Sequence, residues 1–146
     1  MRTIGAILTM MIAAAAVHAS TKDLSLEQLK ARVQNAKPDD RANLCIQIAE
    51  RQVDNADKLY TGGKDDEAVL AVKDVVSYTQ EAKEAASQTG HKLKKIEIEI
   101  RKMSHRLRDI KRGLPFDSQG PVQDAVDRLE KVRTEILNRM FAKNPK

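Results

Sequence analysis

The chain has no tryptophan, two tyrosines, two phenylalanines and one cysteine among its 146 residues. Without interleaved aromatics it lacks the stacking platforms on which single-stranded nucleic acids are held, so nucleic acid is not an expected partner. A lone cysteine, Cys45, excludes an intrachain disulfide and every zinc or haem motif built on paired thiols. No H-E-x-x-H or P-loop frame occurs. Asp54 and Asp57 stand before Gly62-Gly63 at a spacing unlike that of an EF-hand loop. His91 and His105 are separated by about 21 Å along one helix at 1.5 Å per residue, so they cannot share a metal there. No nucleophile and base fall at a spacing that pairs them. The expectation is a non-enzymatic protein without cofactor or metal.

The long apolar run that does exist is confined to the N-terminus. Arg2 precedes an uncharged stretch from Ile4 to Val17, followed by Val17-His18-Ala19 and then Ser20. A charged start, an apolar middle and small residues before the junction form the pattern of a cleaved secretory signal, with the cut between Ala19 and Ser20. The run is shorter than the roughly 20 residues a membrane span needs. No cysteine stands at the junction that follows it, so a lipid anchor has no acceptor there. This reading divides the chain into a signal peptide (1–19), a leader with a short helix (20–37), a helical domain (38–142) and a tail (143–146). It places the product in the periplasm or outside the cell, with no transmembrane anchor after cleavage.

What remains is rich in charge, 32% of all residues, and in small and aliphatic side chains, a composition typical of helical bundles. Ser25-Leu26-Glu27-Gln28 fits a capping box ahead of a short helix carrying Leu26, Leu29 and Val33. Pro38 with Asp39 and Asp40 opens a long helix to about Tyr60, with Ala42, Cys45, Ile46, Ala49, Val53 and Ala56 on one face. After Gly62-Gly63, Asp65-Asp66-Glu67 opens a second long helix with a wide stripe of small residues ending near Gly90. Leu93, Ile96, Ile100, Met103, Leu107, Ile110 and Leu114 then recur at alternating steps of three and four, a heptad seam. A fourth long helix begins at Pro121 with Val122, Val126, Leu129, Val132, Ile136 and Met140. The fold class is therefore all-α: an antiparallel four-helix bundle, or two stacked helical hairpins, with a short extra N-terminal helix.

Charge is concentrated on the third long helix. Between His91 and Arg112 nine lysines and arginines face three acids. In the heptad register Lys94, Arg101 and Arg108 share one position, with Lys95 and Lys102 beside them, making a basic stripe. Glu97 and Arg101 are spaced for an internal pair. Ile98 faces outward in this register. The stripe is either a solvated face balanced by acidic neighbours or a dock for an anionic partner, an acidic protein or an anionic envelope surface. Cys45 reads as a small core residue, with an intermolecular disulfide as the alternative. The expected roles are interaction within the cell envelope, homo-oligomerisation included, or a periplasmic chaperone-like holdase with a basic rim and an apolar groove, with an enzyme of unrecognised type as the remaining alternative.

Ala56, Tyr60, Gly63 and Ala68 together resemble the passage between the two helices of a tetratricopeptide repeat, a resemblance over about a dozen residues that occurs once and implies a helical hairpin. The chain is also similar in type to small secreted all-helical proteins of bacteria, a likeness that implies no particular function.

Overall fold

The structure, a computed structural model, describes residues 23–142. The expected signal peptide with its Ala19–Ser20 junction, and the tail, lie outside the described residues. Five α-helices follow one another: α1 Leu26–Val33, α2 Pro38–Thr61, α3 Asp65–Thr89, α4 Leu93–Gly113 and α5 Gly120–Ala142. A 3-10 turn, Phe116–Ser118, links the last two, and no strand occurs among the described residues.

The helix ends are set by local chemistry. The Gln28 amide donates to Ser25 Oγ at 3.2 Å and the Ser25 amide donates to Gln28 Oε1 at 2.9 Å, completing the capping box of α1. Pro38 lies in the first turn of α2, where its missing N–H costs nothing, and acids occupy the first turns of α2 and α3 beside the positive dipole end. Gly90 closes α3 in the left-handed region, φ +73°.

The pairing of helices decides between the two expected arrangements. α2 lies antiparallel to α3, and α4 to α5, as two hairpins. Between the hairpins the side-chain hydrogen bonds and ion pairs run along two seams of like helices. Asp39 meets His91, Asn43 meets Lys95 and Asp54 meets Arg106, each pair 52 residues apart. Lys83 meets Glu135 and Ser87 meets Arg139 at the same separation of 52. A constant difference along a seam means that the two helices run parallel, so α2 lies alongside α4 and α3 alongside α5. The bundle is thus two hairpins laid side by side with like helices parallel.

The buried faces of the two hairpins correspond position by position. Ala42, Cys45, Ile46, Ala49, Gln52, Val53 and Ala56 of α2 match Leu93, Ile96, Glu97, Ile100, Met103, Ser104 and Leu107 of α4, and all are buried. Ala68, Ala71, Val72, Val75 and Ala82 of α3 match Val122, Ala125, Val126, Leu129 and Ile136 of α5 in the same way. The side chains differ in kind. Alanines on both α2 and α3 let the first hairpin close tightly, whereas Ile and Leu fill the second. Each fully buried large aliphatic, Ile96, Ile100, Leu107 and Leu129 among them, contributes about 1.5–3 kcal/mol. α2 also buries Leu44 and Ile48, beyond the shared pattern, and α1 packs on α2 with its own Leu29 and Val33 buried. The short leading helix is therefore a cap on the outer side of the first hairpin.

Candidate interaction face on the fourth helix

The heptad seam of α4 turns Leu93, Ile96, Ile100, Met103 and Leu107 inward, while Ile110 and Leu114 are half-buried at the end. This fixes where the charges go. On the side toward α2, Lys95 Nζ donates to Asn43 Oδ1 at 3.0 Å, and Arg106 pairs with Asp54. At the head of the same seam His91 Nδ1 lies 3.2 Å from Asp39 Oδ2, and Thr89 Oγ1 donates to Asp39 Oδ1 at 2.6 Å. The Thr89 hydrogen bond, then His91, hold the Asp39 carboxyl below its ordinary range.

The side toward α5 carries a chain of ion pairs. Arg133 Nε donates to Glu97 Oε1 at 2.6 Å and Arg133 also reaches Glu130 at 3.4 Å, while Arg108 donates to Glu130 Oε1 at 3.0 Å. Glu97 is buried, so its partner comes from the neighbouring helix, not from Arg101 one turn along. The expected Glu97–Arg101 pair does not form, because the heptad turns Glu97 toward α5 and Arg101 into solvent.

The five stripe residues therefore separate. Lys95, Lys102 and Arg108 have partners within the protein: Asn43, Glu99 at 3.0 Å, and Glu130. Lys94 and Arg101 are exposed and make no ion pair or hydrogen bond among the described residues. Ile98 lies between them in the helical register and is half-buried.

Mid-seam, Glu50 of α2 and Glu99 of α4 come together. Burial, then the hydrogen bond and charge of Glu99, push the Glu50 carboxyl up to about 7, against the pull of Lys102 and Lys95. Two carboxyls this close share a proton more readily than they both ionise.

A groove of about 740 Å³ crosses the outer side of α2 from α1 to the start of α4. Leu44 and Ala36 give it apolar floor, Asn35, Asn43 and Gln47 offer side-chain amides, and Arg32 and Lys95 stand at its sides. Periodicity places Asn43 and Gln47 one turn apart on a polar face. It does not bring Arg32 or Lys95 to them, since that depends on how α1 and α4 pack.

Cys45 is fully buried, and burial, then Glu81, push its thiol up to about 12. Such a thiol is a core residue and not a nucleophile. Among the described residues no cluster of His, Cys, Asp and Glu is fit to hold a metal ion, and no helix is long and apolar enough to cross a membrane. Comparison with protein-family models, with curated proteins and with solved structures finds no match.

Proposed function

We propose that this protein is a non-enzymatic docking protein of the cell envelope, exported by residues 1–19, whose α4 basic face binds an acidic partner protein. The observation that carries the reading is the pair Lys94 and Arg101. Both are exposed without a carboxylate partner, on a helix where Arg106, Arg108 and Lys102 all have one. A surface salt bridge is worth little by itself. Two or three at one docking face mainly set orientation and on-rate, and such binding weakens as salt rises.

The test is co-purification of the mature protein from the cell envelope, followed by titration of the captured protein in purified form. Lys94→Glu with Arg101→Glu and Lys102→Glu is expected to abolish binding while the helical circular dichroism signal stays. Binding of the wild type is expected to fall steeply with added salt. Binding that survives the charge reversals, or ignores salt, contradicts the reading.

A second reading rests on the groove over α2, where Leu44 and Ala36 lie between Arg32 and Lys95. An apolar floor with basic sides suits a holdase for unfolded chains. It calls for suppression of aggregation of an unfolded client by the purified protein, lost in Leu44→Asp if that variant still folds.

A further inference from the structure

The correspondence between the hairpins carries an inference about the shape of the partner. It deepens the docking reading above and rests on it. The first hairpin meets the second through Asn43, Glu50 and Asp54 of α2 and Lys83 and Ser87 of α3. Matched by burial, the same positions in the second hairpin are Lys94, Arg101 and His105 of α4 and Leu137 and Phe141 of α5. No helix among the described residues lies over them. Lys94, Arg101 and His105 are exposed, Phe141 is 72% exposed and Leu137 is half-buried.

The molecule has three such hairpin sides. The middle one is covered by helices, since α4 and α5 lie against α2 and α3. The outer side of the first hairpin is covered by a helix too: α1 buries Leu44 and Ile48, which match Lys95 and Glu99. Among the described residues no helix covers the outer side of the second hairpin. It has the apolar positions of a helix seat in Ile98, Leu137 and Phe141, beside two cations without partners.

We infer that this outer α4–α5 face seats one amphipathic helix of the partner protein, with an apolar edge against Ile98, Leu137 and Phe141 and carboxylates against Lys94 and Arg101. Lys94 and Arg101 are one heptad apart, so the carboxylates recur one heptad apart on a helix lying along α4. The middle seam is the precedent, because there Asp54 of α2 meets Arg106 of its parallel neighbour α4, and Asp39 meets His91 just ahead of that helix. A second copy of this chain is a poor occupant. Its first hairpin is already capped by α1, and its own outer face would set Lys94 and Arg101 against cations of the same sign.

The probe is a synthetic peptide of about three heptads, with leucine along one edge and glutamate one heptad apart beside it. The controls are the same peptide interrupted by a central proline, which breaks the helix, and poly-glutamate. The helical peptide is expected to bind the mature protein roughly tenfold or more tightly than either control. Phe141→Ser, at an exposed position, is expected to weaken the helical peptide by a similar factor and to leave poly-glutamate unchanged. Equal binding of all three probes, or insensitivity to Phe141→Ser, overturns the helix seat and leaves the docking reading standing. If no acidic probe binds and the captured partner is indifferent to Lys94→Glu with Arg101→Glu, both are overturned.

Discussion

At the scale of single residues, two side chains report on the interior by their chemistry. Glu50 is ordinary in the unfolded chain, at 4.5, and stands at about 7 in the folded one. The folded state therefore holds this proton more tightly between those values, and stability falls as pH rises through them. Above about 7 both states are ionised and the full cost of the Glu50–Glu99 contact remains. Glu50→Gln removes that cost. Melting temperatures of variant and wild type are expected to agree near pH 4.5 and to diverge by pH 7.5, the variant then higher. Parallel curves across that interval contradict the shared-proton contact. Cys45 is the second reporter. With its thiol at about 12 and no exposed surface, it is expected to resist a maleimide in native buffer and to react at once in denaturant. Rapid native labelling, or a disulfide-linked dimer, contradicts its burial.

At the scale of elements, the heptad of α4 carries the second hairpin. Ile100 is fully buried at its centre, and Ile100→Ala is expected to cost about 2–5 kcal/mol by denaturant unfolding. Ile98, two residues away and half-buried, is expected to cost under about 1 kcal/mol on the same change. Equal losses at the two positions mean that α4 is packed in a different register. This much was legible beforehand. The capping box at Ser25, the acids after Pro38 and Lys64, the glycine stops and the spacing of Leu93 to Leu114 are all local signals, and each helix falls where they place it. The partners of the charges were not legible. Glu97 goes to Arg133 and not to Arg101, because that choice is made by the helix packed alongside and not by spacing within one helix.

At the scale of the whole molecule, the correspondence of the hairpins escapes the sequence for a physical reason. The same buried positions hold Ala42 and Leu93, Cys45 and Ile96, Ala49 and Ile100. Close packing of small residues in one hairpin and filling by large ones in the other are different solutions to one geometry, so similarity of residues does not survive. Ala56, Tyr60 and Gly63 lead into the turn of the first hairpin, and their counterparts in the second, Leu107, Lys111 and Leu114, share nothing with them. The basic stripe was visible as composition. That its free members are Lys94 and Arg101, and that they lie beside Leu137 and Phe141 at the open end of the stack, follows only from the side-by-side hairpins.

The open face exists only because α3 and α5 lie parallel and in contact. Zero-length carbodiimide cross-linking tests this most directly, because Lys83 Nζ lies 2.5 Å from Glu135 Oε2 across that seam. The cross-linked, digested protein is expected to yield a peptide pair joined between Lys83 and Glu135. In a bundle where α3 and α5 stand on opposite corners those groups never meet. The absence of that pair, with cross-links joining α2 to α5 instead, would contradict the stacked hairpins and the open face with them.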